Sequence, residues 1–121
     1  MVEVATDKPK NVLKITFSQR VWPEEARSSA EKVKALLADL EPGFRLLTDL
    51  SSLESMDVAC AVHLERTMDW CNQKGVKQVV RVIPDPHKDI GLNIMSLFHY
   101  RHHIPIVTCE SLAEAMTILA G

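Results

Sequence analysis

Residues 49 to 61 read DLSSLESMDVACA, from Asp49 to Ala61. They follow Phe44 to Leu50, a nearly continuous apolar run around Arg45, as expected of a strand covered on both faces. They precede Ala61, Leu64, Met68 and Cys71, spaced as one helical stripe that Gly75 can close with a left-handed cap. The spacing therefore predicts a strand to Leu50, a turn over Ser51 to Asp57 rich in hydroxyls and carboxylates, and a helix from about Asp57. A strand, a polar turn and a helix in this order is the βα unit of an α/β domain, in which binding falls beyond the carboxyl ends of strands.

Val2 to Thr6 and the alternating Asn11 to Ser18 suit an opening hairpin, with Asp7, Lys8, Pro9 and Lys10 as turn residues. Pro23, Glu24 and Glu25 suit a helix start. From there Ala26, Ala30, Val33, Leu37 and Leu40 form an apolar stripe that Pro42 and Gly43 end. After Gly75, Val76 to Ile83 is a further strand. Pro84 and Pro86 then break the chain, and Ile90, Ile94 and Leu97 or Phe98 suggest a helix to about His99. Ile104 to Thr108 is a short strand that Pro105 makes an edge case. Ser111 and Glu114 form an S-x-x-E box at the start of a last helix. The expected order is β, β, α, β, α, β, α, β, α: a mixed, mostly parallel sheet with an N-terminal hairpin and about four helices, in one domain spanning 1 to 121.

Composition agrees with a folded domain and narrows its partners. At 121 residues, with 46% apolar and 25% charged residues, the chain has enough material for one core. Fourteen Lys and Arg stand against 16 Asp and Glu, with signs mixed along the chain. Lys74, Lys77 and Arg81 do not make the basic stripe that neutralises phosphates, so no nucleic acid partner is expected. MVEVATDKPK lacks the apolar core of a secretory signal, and the run Ile90 to Tyr100 is far short of the ~20 residues that span a bilayer. A cytoplasmic protein without membrane insertion is expected. Cys60, Cys71 and Cys109 are odd in number and lack framework spacing, which suits buried thiols in a reducing compartment.

Residues able to carry chemistry fall at four places. Asp49 ends a central strand, where a phosphoacceptor aspartate would sit. Phosphotransfer to it would need Mg²⁺, further acids and a lysine at neighbouring strand ends. Those ends read Phe17, Ser18, Gln19 and Ile106, Val107, Thr108, so Asp49 is expected to cap the following turn. Ser51, Ser52, Ser55 and Asp57 can cap a helix start or hold an anion there, but Glu54 and Asp57 repel an anion and favour capping. His87, His99, His102 and His103, with Asp85, Asp89 and Cys109, do not match paired metal-ligand spacing, so no metal or other cofactor is expected. Cys60 and His63 lie three apart on the second helix, yet no third group orients the histidine, so no catalytic residue is named.

The turn LLTDLSSLESMD (46–57), the helix closing at NQKGV (72–76), the strand VKQVVRVI (76–83) and the terminal SLAEAM (111–116) together resemble the STAS domain, the fold of bacterial anti-sigma-factor antagonists and of sulfate-transporter tails. Such antagonists carry D-S-x-G at the start of the second helix, and a partner kinase that is also the anti-sigma factor phosphorylates the serine. Here Asp57 matches the aspartate, Val58 stands at the serine and Cys60 at the glycine. The resemblance implies a non-enzymatic, regulatory protein-binding domain without the phosphoacceptor. Its expected contacts are Ser51, Ser52, Ser55, Asp57 and Val58. The partner is an anti-sigma-type kinase or another regulatory domain, with a second copy of the chain as the homodimer alternative. The segment RVIPDPHKDIGLNIMSLFHY (81–100) is outside the usual STAS pattern. A second reading joins the 51–57 turn to the 84–89 loop, with His87 and Lys88, as a cleft for a small anionic or lipid-like ligand.

Overall fold

A computed structural model describes residues 1–83 and 104–121. Strands β1 (Val2–Asp7) and β2 (Val12–Val21) form the antiparallel hairpin, in register with Val4 opposite Ile15. Asn11 closes it in the left-handed region (φ 56°), a conformation that asparagine tolerates. The Asn11 side chain also exchanges hydrogen bonds with the Glu41 backbone, donating to its carbonyl (3.1 Å) and accepting from its N–H (2.9 Å).

Strands β3 (Arg45–Met56), β4 (Gln78–Val82) and β5 (Ile106–Cys109) follow β2 in the order β1-β2-β3-β4-β5, all parallel to β2. Successive crossovers stepping in one direction, each right-handed, put their helices on the same face. Helices α1 (Pro23–Leu36) and α2 (Ala61–Lys74) accordingly pack side by side. Arg66 of α2 bonds Glu31 of α1 (2.9 Å), and Lys34 and Arg66 both lie against the Trp70 ring. Helix α3 (Leu112–Leu119) takes the other face.

Period-two alternation sorts the strand residues between these layers. Leu13, Ile15, Phe17, Leu46, Leu50 and Val79 meet Ala26, Val33, Leu64 and Cys71 under α1 and α2. Val12, Leu47, Val80, Val82 and Cys109 meet Ala115 and Leu119 of α3. The stripe expected for the first helix, Ala26 to Leu40, is buried throughout, and Gly75 takes the left-handed cap at φ 97°. All three cysteines are free and buried.

One boundary departs from expectation. The stretch read as a turn over Ser51 to Asp57 is mostly strand: β3 continues to Met56, and β2 runs past Ser18 to Val21. The pairing passes from Thr16↔Asp49 to Ser18↔Ser52 and from Gln19↔Leu53 to Arg20↔Ser55, so β3 carries an extra residue at two places. Such bulges break the period of two that identifies a strand in sequence. Leu53 is nonetheless fully buried, and Gln19 opposite it adopts φ 58°.

Among the described residues there are three α-helices, against about four expected. The helix expected over Ile90 to His99 lies outside the described residues, as do His87, Lys88, Asp85, Asp89 and the remaining candidate histidines. No helix among the described residues is long and apolar enough to cross a membrane.

Candidate functional site

The corner where β3 passes into α2 is built from its backbone outward. Asp49 is buried, and its Oδ1 accepts hydrogen bonds from the Ser51 N–H (3.0 Å) and the Ser51 hydroxyl (2.6 Å). The carboxylate thus closes the first bulge, two residues on, rather than capping a turn before α2. Ser52 is exposed opposite Ser18, and Ser55 is half-buried opposite Arg20. These two serines flank inward-pointing Leu53, and strand geometry separates them.

Asp57 caps the next element. Its Oδ1 accepts from the Ala59 N–H (2.8 Å), opening a 3₁₀ turn over Val58–Cys60 that leads into α2. Its own N–H donates to the Val21 carbonyl (3.3 Å), which ties the start of α2 to the end of β2. The helix start expected near Asp57 is therefore present, but as a 3₁₀ turn whose first free N–H already has a carboxylate. A free anion would have to displace or approach that carboxylate, which is unfavourable.

Among the large apolar side chains of the corner, the most exposed is Val58, at 76%, followed by Val62 one turn on, at 56%. Trp22 directly follows the Val21 that binds Asp57, and is 47% exposed with the Arg20 guanidinium 4.1 Å from its ring centre. Trp22 also stands at the cap of α1, where its N–H donates to Glu25 Oε1 (3.3 Å). Trp22 and Val62 were not picked out from sequence. The signal was available, since Val62 falls between the stripe positions Ala61 and Leu64 and so cannot share their buried face.

The Cys60 and His63 pair does not make a nucleophile and base. The Cys60 Sγ faces the Val21 carbonyl (3.8 Å), and burial first, then the nearby Asp57 charge, push the thiol pKa up. A protonated thiol is a poor nucleophile. His63 Nδ1 is buried without a hydrogen-bond partner among the described residues. Glu24, close enough to feel His63, is held below its ordinary range mainly by its hydrogen bond with Arg27 and that residue's charge. No group of three His, Cys, Asp or Glu among the described residues could hold a metal. What the corner offers is exposed apolar side chains, Val58 and Val62 at the start of α2 and Trp22 beside the residue that binds Asp57.

Comparison with solved structures places this fold. The unphosphorylated form of the anti-sigma factor antagonist SpoIIAA superposes with a TM-score of 0.69 at 11% identity, over 100% of this chain and 99% of that one. An uncharacterised Shewanella loihica protein with a SpoIIAA-like fold matches at 0.66 and 13% identity, over 98% and 92% of the two chains. An anti-sigma factor antagonist from Mycobacterium paratuberculosis matches at 0.58 and 19% identity, over 100% and 94%. No family model matches the chain, and no curated protein matches it. Identities this low establish the fold alone, and that fold is STAS-like.

Proposed function

We propose that this STAS-like chain is a non-enzymatic regulatory module that docks another protein at the β3–α2 corner, without a phosphorylation switch at position 58. The observation that carries the reading is Val58: an apolar side chain, 76% exposed, at the first residue of the turn that opens α2. Contiguous apolar surface left in water marks interaction sites more often than a scattered single residue does. Val62, one turn on, and Trp22, next to the Val21 that binds Asp57, are exposed as well. Valine has no hydroxyl, so about two negative charges cannot be added there as they can to serine.

Two of the structural neighbours are anti-sigma factor antagonists, which supports a regulatory partner: an anti-sigma-type kinase or another regulatory domain, or else a second copy of this chain. Ser51, Ser52, Ser55 and Asp57 precede Val58 along β3 and the cap of the opening turn, and their roles in the fold are bulge closure, strand pairing and capping.

Incubation with candidate kinases and ATP, followed by mass spectrometry, tests the absence of a switch. No stoichiometric phosphate is expected, and its appearance on Ser51, Ser52 or Ser55 overturns the reading. The docking half is tested with the pair Val58→Asp and Val62→Lys, both exposed. The urea midpoint should hold while affinity for a partner falls about tenfold or more, as for truncation of interface anchors. An unchanged affinity places docking elsewhere.

A further inference from the structure

A second feature lies at the opposite end of the strands, where β2 and β3 begin. Between the β1–β2 hairpin and the last turn of α3 there is a cleft of about 120 Å³. Its floor is apolar: Val12 and Leu47 from the sheet and Leu119 from α3, all buried, with Met116, 43% exposed, at its mouth.

The charge around it is one-sided. Lys10 and Lys14 both line the cleft, and among the described residues neither is in an ion pair. Asp7 is the acid lining the cleft, and its Oδ1 accepts the Lys10 N–H (3.2 Å). The carbonyls at the end of α3 would repel an anion, but Arg45 covers them, donating from Nη2 to the Leu119 carbonyl (2.8 Å) and from Nη1 to that of Ile118 (3.4 Å). Two lysines therefore stand against one aspartate in the lining beside an apolar floor, and Arg45, outside the lining, offsets the carbonyls of the adjacent helix end.

We infer that this cleft binds a small carboxylate carrying a compact apolar body, of the phenyl or branched-chain acid class. An aliphatic cavity of about 150 Å³ can hold benzene, so the space here suits a body of that order. The charge rests on flexible lysines at the rim, which suits an acid group left at the mouth while the apolar body goes inward. A bare inorganic anion would leave the floor unused.

Amide-resolved NMR titration with benzoate, benzyl alcohol and benzylamine tests this. Benzoate should give saturable shifts centred on Val12, Lys14, Leu47 and Met116. Benzyl alcohol should bind about tenfold more weakly, because it lacks the charge-assisted bond. Benzylamine, cationic at neutral pH, should not bind. Lys14→Gln and Lys10→Gln should each weaken benzoate severalfold and leave benzyl alcohol unchanged. Met116→Trp, at an exposed position, should block both while the remaining spectrum stays native. Equal binding of acid and alcohol overturns the proposal, and so does undiminished benzoate binding in the variants or the absence of saturable shifts in the wild type.

Discussion

Asp57 and Val58 are neighbours with opposite duties. Asp57 holds the Ala59 N–H and anchors the start of α2 to β2, so its side chain belongs to the fold. Val58 is turned to water. Asp57→Ala should lower unfolding free energy by about 1 kcal/mol, the usual worth of an N-cap, measured by urea titration. Val58→Ser should change stability by less than about 0.5 kcal/mol, as at an open surface site. Gly75 is a residue whose role was plain from sequence: at φ 97°, with its N–H bonded to the Cys71 and Asn72 carbonyls, it ends α2 where a side chain would be strained. Gly75→Ala should cost about 1–2 kcal/mol in the same titration.

At the level of elements, β3 is where sequence and structure differ. The run Leu50, Ser51, Ser52, Leu53 has its buried leucines three apart, which alternation alone cannot produce; the bulge supplies the missing residue. Leu53→Ala discriminates between turn and strand. A turn residue would tolerate it, whereas a buried strand leucine should cost about 2–5 kcal/mol. The last helix makes the complementary point. With eight residues α3 is too short to persist alone, and it depends on Ala115 and Leu119 packing on the sheet and on Arg45 at its end. Ser111 Oγ accepts the Glu114 N–H (3.1 Å), as the S-x-x-E pattern predicts, but Glu114 reaches back to the Glu110 N–H (3.1 Å) instead of the cap residue's own. Arg45→Met should accelerate amide exchange in α3 more than in α1 or α2.

For the whole molecule, both layers bury thiols, and this gives stability a pH dependence. Burial pushes Cys71 up from the ordinary 9.0 to about 12, and raises Cys60 and Cys109 as well. The folded chain keeps these protons at a pH where the unfolded chain has released them. For Cys71 the contribution is therefore full below pH 9 and declines as pH rises from about 9 towards 12, by at most about 1.4 kcal/mol per pH unit, and the raised Cys60 and Cys109 act in the same direction. Urea titrations at stepped alkaline pH should show this decline, and Cys71→Ala should make it shallower.

The sequence by itself determined the βα order, the hairpin, the stripes of α1 and α2, the cap at Gly75 and the apolar residue at position 58, because each follows from local periodicity or from one residue's backbone preference. Tertiary structure decided how far β3 runs, which layer each strand residue joins, that Asp49 closes a bulge with Ser51, and that Trp22 comes beside the start of α2. Those outcomes depend on pairing between β2 and β3, and a register with two extra residues is set by long-range burial of Leu53 and Val21, which no local pattern encodes.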